Sequence, residues 1–193
     1  MVEHGPCFLV AGGRRTGRTT TLLTMGLFAS KIGWDVLGVT MRPGSLNQLG
    51  GLPGVSLIDG AKAEREEMEG LFQQLTDKDK PSLILVDDVE RVPDGWLADL
   101  IIKQIDVWRD SGSAIAAAGL SSELGGYRGL YTTLKKAGSG VLLAPQTMGD
   151  AEFFKTSLPR SAYGQSYPPG GGYLIRGGQA TRTQVVLPDR GEG

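Results

Sequence analysis

The sequence is poor in the residues and segments that mark several protein classes. Its 193 residues include one cysteine and one histidine, and aromatic residues make up 7% of the chain. Cys7 cannot form an internal disulfide, and its apolar neighbours predict that it packs as a small hydrophobic residue. No apolar run approaches the roughly 20 residues that a membrane-spanning helix needs. These absences exclude a disulfide-stapled fold, and we expect no direct insertion into a membrane.

Charge is nearly balanced along the chain. Lysine and arginine total 20 residues, aspartate and glutamate total 21, and the formal net charge is −1. This balance gives no overall attraction to DNA, which makes DNA an unexpected partner unless a local basic patch forms. The length fits one domain with a substantial core. We therefore predict a single domain over residues 1–188 and a polar tail over 189–193.

The most informative segment is a glycine-rich loop between an apolar run, 7–11, and a helix-like segment, 19–31. Residues 12–19 read Gly-Gly-Arg-Arg-Thr-Gly-Arg-Thr, close to the phosphate-binding pattern GxxxxGK[ST]. Glycines in that pattern let backbone N–H groups wrap a phosphate, and the following helix directs its positive end at it. A plain glycine-rich turn is the alternative. The predicted nucleotide contacts are Gly12, Gly13, Arg14, Arg15, Thr16, Gly17, Arg18, Thr19 and Thr20.

Arg18 stands where the pattern has lysine. Lysine carries a compact ammonium on a thin stem, whereas arginine carries a wider planar fork that binds phosphate but needs more space. We therefore expect phosphate binding to persist and the catalytic geometry to be lost.

A second motif is the apolar strand 83–86, which ends in Asp87 and Asp88. In nucleotide hydrolases the first acid of such a strand holds Mg²⁺ and the next residue often polarises the attacking water. Aspartate also favours turns and helix caps, which is the alternative interpretation. The second acid is commonly glutamate, and Asp88 is shorter by about 1.5 Å. A displacement near 1 Å costs on the order of a hundredfold in rate, so Asp88 is a weak catalytic candidate, while Thr19 and Asp87 are predicted metal ligands.

Apolar runs alternate with helical patterns, which predicts an α/β fold with a mainly parallel sheet flanked by helices. Residues 128–137 are a predicted helix. Residues 173–176 and 183–187 are predicted to form a terminal β-hairpin around Gly177-Gly178. The loop 45–54 carries Leu46, Leu49 and Leu52, which either contact an incoming helix or turn inward to the core.

Taken together, these segments resemble the ATPase domains of the EccC and EssC motors of type VII secretion, within the FtsK/SpoIIIE class of RecA-like P-loop ATPases. The resemblance covers nearly the whole chain, from the run 8–12 and the segment 17–22 through the strand 86–88 to the segment 140–145. Its most specific part is the ending 169–178, Pro-Gly-Gly-Gly-Tyr-Leu-Ile-Arg-Gly-Gly, which leads to 184–188. The family usually shows Pro-Gly-Arg-Gly in this turn, and Gly171 replaces the arginine.

The resemblance implies a RecA-like fold, ATP and Mg²⁺ as ligands, and a degenerate nucleotide site with slow or absent hydrolysis. It implies that the chain is an excised or separately encoded domain of a motor at the cytoplasmic face of the membrane. Its implied partners are neighbouring ATPase domains, further copies of the chain, and WXG-type substrates with a C-terminal export signal. The alternatives are a DNA-translocating motor domain and a protein-interaction module that does not hydrolyse nucleotide.

Overall fold

A computed structural model describes residues 5–44, 46–76, 80–125 and 130–186, and in these ranges strands and helices alternate. The strands are β1 (Cys7–Gly12), β2 (Asp35–Thr40), β3 (Val55–Asp59), β4 (Ser82–Asp87), β5 (Ala114–Leu120), β6 (Gly140–Leu143), β7 (Gly171–Arg176) and β8 (Gln179–Gln184). The α-helices are α1 (Arg18–Lys31), α2 (Arg65–Thr76), α3 (Trp96–Val107), α4 (Leu130–Lys136) and α5 (Met148–Glu152). None of the helices in these ranges has the length and apolar character to cross a bilayer.

The strands form one sheet in the order β3-β2-β4-β5-β1-β6-β7-β8. All pairs among the first six strands are parallel, and β7 and β8 are added antiparallel at one edge. Parallel neighbours need crossover connections, and here helices supply most of them. The predicted α/β class with a mainly parallel sheet and a C-terminal hairpin is confirmed.

Each central strand sends alternate side chains to opposite faces of the sheet. In β1, Leu9 and Ala11 join the core beneath α2, α3 and α4, while Phe8 and Val10 join the core beneath α1. Because side chains alternate along a strand, a strand that is apolar throughout is buried on both faces. The sheet is therefore covered on both sides, and its strand ends are the places where polar groups can gather.

The leucines of the loop after β2 turn inward. Leu46 and Leu49 form a single 3-10 turn, and both are fully buried in the core beneath α1. Leu52 packs against the same core. The inward alternative is confirmed, and the expectation that this loop offers apolar contacts to an incoming helix is wrong.

The C-terminal hairpin is tighter than the sequence predicted. Its second strand runs from Gln179 to Gln184, directly after the turn, instead of over 183–187. Gly177 and Gly178 have φ values of 54° and 78°, which suits a two-residue type I′ turn and places β8 immediately behind it. Residue 187 and the predicted tail 189–193 lie outside the described residues, as do positions 128 and 129 of the predicted helix 128–137, which is described from Leu130.

Candidate nucleotide-binding site

The two motifs predicted from the sequence meet at one edge of the sheet. Strands β4, β5 and β1 are adjacent and parallel, so their carboxyl ends lie side by side. The glycine-rich loop follows β1, and the two acids end and follow β4. In open α/β sheets, ligands bind at the carboxyl ends of the strands.

Two glycines of the loop have a structural explanation, Gly12 in close packing and Gly17 in its backbone conformation. A Cβ on Gly12 would lie 2.6 Å from Oγ1 of Thr16 and 3.0 Å from the carbonyl oxygen of Leu143. Gly17 has a φ of 103°, in the left-handed region that other residues rarely adopt. Thr16 Oγ1 donates a hydrogen bond to the Gly13 carbonyl at 3.0 Å, which closes the loop on itself.

Helix α1 begins directly behind this loop, at Arg18. Its first turn carries no acidic residue, and no side chain among the described residues caps it at Gly17. The first N–H groups of a helix have no partner within the helix, and they lie at the positive end of its dipole. The start of α1 therefore suits a bound phosphate.

Thr19 and Asp87 lie in contact at this edge. Thr19 Oγ1 donates a hydrogen bond to Asp87 Oδ2 at 3.0 Å, and the Asp88 N–H donates to Asp87 Oδ1 at 3.1 Å. Asp87 is buried. Hydroxyl and carboxylate oxygens are ligands of the kind that Mg²⁺ binds, usually together with phosphate oxygens and water. Within the described ranges, no group of three or more His, Cys, Asp and Glu residues could hold a metal, so a cation here would depend on the nucleotide for further ligands.

Asp88, the weak catalytic candidate, is held by an arginine. Arg42, which follows β2, donates to both Asp88 oxygens, from Nε and Nη2, at 2.6 Å each. The Asp88 side chain is buried, whereas that of Arg42 is about half exposed, and this hydrogen bonding raises the pKa of the Arg42 guanidinium. A carboxylate with both oxygens engaged in this way is poorly placed to polarise a water molecule. The catalytic role of Asp88 stays a prediction.

Arg18 faces Glu90, a residue that sequence reasoning did not select. Glu90 lies in the 3-10 turn after β4, and its side chain is 2% exposed. Its Oε1 lies 3.6 Å from Arg18 Nη1. Its Oε2 accepts a hydrogen bond of 3.3 Å from the N–H of Leu120, the last residue of β5. Burial raises the pKa of the Glu90 carboxyl, although the Arg18 charge opposes that shift. In the sequence, Glu90 is one more acid in a charged turn, so no local signal distinguished it.

An arginine-rich cavity of about 200 Å³ opens at this edge. Five arginines and two glutamates are among its lining residues, an excess of positive charge that suits an anion. Larger clefts lie between α2 and α3 and beside the β7–β8 hairpin, away from both motifs. The residues that line the arginine-rich cavity are Arg14, Arg15, Arg18, Arg42, Glu90, Arg91, Leu120 and Glu123.

The turn before β7 packs against the glycine-rich loop. The Gly170 N–H donates to the Thr16 carbonyl at 2.7 Å. A Cβ on Gly171 would lie 3.0 Å from the Pro168 carbonyl oxygen and 3.2 Å from Gln184 Oε1. Position 171, where the family that the sequence resembles usually has arginine, is therefore crowded, and a glycine fits it.

No protein-family model matches the chain, and no curated protein matches it significantly. Solved structures share its fold. It is similar to EssC (ATPases 2 and 3) from Geobacillus thermodenitrificans, with 18% identity and a TM-score of 0.75 over 94% of this chain. It is also similar to Thermomonospora curvata EccC (ATPases 2 and 3) in complex with a signal sequence peptide, with 15% identity and a TM-score of 0.70 over 96%. The pCW3 conjugation coupling protein TcpA with ATPγS follows, with 14% identity and a TM-score of 0.60 over 95%.

These structures establish the fold as that of RecA-like P-loop ATPases, and they confirm at that level the resemblance to EccC and EssC ATPase domains. The chain spans 37% of the EssC structure, 37% of the EccC structure and 61% of TcpA. It thus corresponds to one part of these longer proteins.

Proposed function

We propose that this chain is an ATPase-fold domain of a type VII protein-secretion motor, and that it binds ATP with Mg²⁺ and hydrolyses it slowly or not at all. The observation that carries the proposal is the contact between Thr19 and Asp87, 3.0 Å apart, at the start of a helix that follows a glycine-rich loop. The likeness to EssC and EccC supports the secretion setting.

Each part of the site has a role in this proposal. Loop N–H groups and the start of α1 hold the phosphates. Thr19 and Asp87 hold Mg²⁺, which offsets charge on the phosphate oxygens when bound. Arg18 and Asp88 make turnover slow. Arg18 pairs with Glu90 and is not free to contact the terminal phosphate, and Asp88 pairs with Arg42 and is poorly placed to polarise the attacking water. This geometry and the motif chemistry support these proposed roles.

The similar structures support two of the proposed kinds of partner, other ATPase domains and signal peptides. The EccC structure contains a signal sequence peptide, and both secretion structures comprise ATPases 2 and 3. We propose neighbouring ATPase domains, WXG-type export substrates and further copies of this chain as partners, at the cytoplasmic face of the membrane. The WXG class comes from the sequence resemblance alone.

Mg²⁺-dependent ATP binding by the purified protein tests the proposal. We expect saturable binding that weakens when Mg²⁺ is removed, and an Asp87→Asn variant that loses most of this Mg²⁺ dependence because the neutral amide is a poorer cation ligand. Thr19→Ser, which keeps the hydroxyl, should bind as the wild type does. Asp106→Asn is the matched control, because Asp106 is an exposed carboxylate on α3 paired with Arg109.

Two results would count against the proposal. Absence of ATP binding at millimolar ATP would contradict the proposed nucleotide binding. Rapid phosphate release by the isolated protein would contradict the proposal that the site is degenerate. A salt-sensitive DNA gel shift would favour a DNA-translocating motor instead. Capture of an export signal without any nucleotide binding would favour a protein-interaction module.

A further inference from the structure

Two buried charged atoms face each other at the site without a hydrogen bond. Arg18 Nη1 and Glu90 Oε1 are 3.6 Å apart, and among the described residues neither atom has a hydrogen-bond partner. A charge-assisted hydrogen bond between such groups is normally about 2.7–2.9 Å long. The pair is held by electrostatic attraction, and each atom keeps an unused hydrogen-bonding position beside the arginine-rich cavity.

Glu90 is the fixed member of this pair. Its other oxygen accepts the Leu120 N–H at 3.3 Å. A Cβ on the neighbouring Gly119 would lie 3.1 Å from that same oxygen, so the carboxylate occupies space that only a glycine leaves open. Because Glu90 is anchored to β5, Arg18 would have to leave it in order to contact a phosphate.

Arg18 also differs from the other arginines of the cavity. Its side chain is 11% exposed, whereas Arg14, Arg15 and Arg91 are exposed and Arg42 is about half exposed and bound to Asp88. Solvent screens exposed charges, and buried ones act at much greater strength. Arg18 is thus the strongest cation that the described lining residues could offer to a terminal phosphate, and Glu90 neutralises it.

We propose that Glu90 is a positioning residue that sets ligand specificity: it holds the Arg18 guanidinium away from the terminal phosphate, so the site binds nucleoside diphosphates and triphosphates with similar affinity. The inference rests on the proposed nucleotide site and adds to it which phosphates are recognised. The loop N–H groups and the start of α1 hold the phosphates that both ligands share. The third phosphate gains no buried arginine, because Arg18 stays with Glu90.

The test compares the dissociation constants of ADP and of ATPγS, with Mg²⁺, for the wild type and for Glu90→Gln. Glutamine keeps the size of the side chain and an oxygen acceptor for the Leu120 N–H, but it removes the charge that attracts Arg18. We expect the two wild-type constants to agree within about threefold. In Glu90→Gln we expect ATPγS to bind about tenfold more tightly, with little change for ADP, since Arg18 then gains a charge-assisted contact to the third phosphate.

Two further variants separate this effect from a general change of charge. Glu123→Gln removes a negative charge from the same cavity, but Glu123 is exposed. The ratio of the ADP dissociation constant to the ATPγS dissociation constant in this variant should therefore match that of the wild type. Arg18→Ala should leave the wild-type ratio nearly unchanged and should abolish the gain in the Glu90→Gln background. That non-additivity would show that Glu90 acts through Arg18.

A wild-type preference for ATPγS of tenfold or more would overturn the inference, and so would an unchanged ratio in a folded Glu90→Gln variant that still binds both nucleotides. If Glu90→Gln fails to fold, the wild type and Arg18→Ala decide the matter. A ratio of the ADP constant to the ATPγS constant that is lower in Arg18→Ala than in the wild type overturns the inference. Failure of the wild type to bind either nucleotide would remove the proposed function itself, which is a distinguishable result.

Discussion

At the scale of single residues, Gly17 sets the backbone conformation before α1. It has a φ of 103°, and a Cβ there would lie 3.0 Å from the Gly170 nitrogen and 3.3 Å from the Gly170 Cα. Gly17→Ala should therefore strain the backbone and push against the turn before β7. We expect a loss of about 1–3 kcal/mol in the free energy of unfolding, measured with urea, and a marked loss of ATP affinity.

Gly13→Ala is the matched control for this substitution. A Cβ on Gly13 would meet Thr16 Cγ2 at 3.6 Å, an ordinary van der Waals distance, and Gly13 does not have a positive φ. The control should change the free energy of unfolding by less than about 1 kcal/mol. Equal losses in the two variants would show that any methyl group in this loop is harmful and that the conformation of Gly17 has no special role.

Residues of the candidate site differed in how far the sequence could predict them. The loop 12–19 and Asp87 were predictable because each belongs to a local pattern of spacing and hydrophobicity. Their contact follows from the sheet order, in which β5 alone separates β4 from β1. Arg42 and Glu90 carry no local pattern. Arg42 reaches Asp88 because β2 lies beside β4, and Glu90 reaches Leu120 because β5 lies on the other side of β4. Both contacts depend on the strand order, which has no local signal in the sequence.

At the scale of elements, the pairing of β6 with β1 depends on a glycine. A Cβ on Gly140 would overlap the carbonyl oxygen of Leu9, the neighbouring residue on β1, and would crowd the ring of Phe154. Backbone atoms of paired strands cannot move apart without breaking the sheet. We therefore expect Gly140→Ala to lower the free energy of unfolding by about 3 kcal/mol or more, as measured by denaturant titration.

Gly70→Ala is the contrasting substitution. Gly70 lies inside α2, and a Cβ there would meet nothing within 4 Å. Alanine is the better helix former, so this variant should raise the free energy of unfolding by about 0.5–1 kcal/mol. A decrease in Gly70→Ala would contradict the described surroundings of α2, and an unchanged stability in Gly140→Ala would contradict the pairing of β6 with β1.

Elements were predicted more reliably than their boundaries. The apolar runs identified β1 and β4, because the interior of a strand buried on both faces is apolar. The hairpin strand β8 is mostly exposed and polar, with the sequence Gln-Ala-Thr-Arg-Thr-Gln, so its start was missed. The position of β8 is fixed by the two glycines of the turn and by pairing with β7. Neither feature is visible in the hydrophobic pattern of the sequence.

At the scale of the whole molecule, Cys7 can report unfolding. It is buried in β1 at the centre of the sheet, and burial raises the pKa of its thiol to about 12. At pH 8 the thiol of the folded protein is therefore protonated and inaccessible, and both conditions suppress its reaction with thiol reagents. We expect labelling only through opening of the sheet, at a rate that rises with urea. Rapid labelling without denaturant would place Cys7 outside the core.

The hydrogen bond from the Gly170 N–H to the Thr16 carbonyl has a consequence for communication through the molecule. It joins the loop at the start of the chain to the hairpin near its other end, so the two segments cannot shift independently while it persists. Coupling between two sites is reciprocal. We therefore expect bound nucleotide to slow hydrogen exchange of the Gly170 amide, measured by NMR, and a protein that displaces the hairpin to release nucleotide. Unchanged exchange on saturation with ATP would show that the two ends act separately.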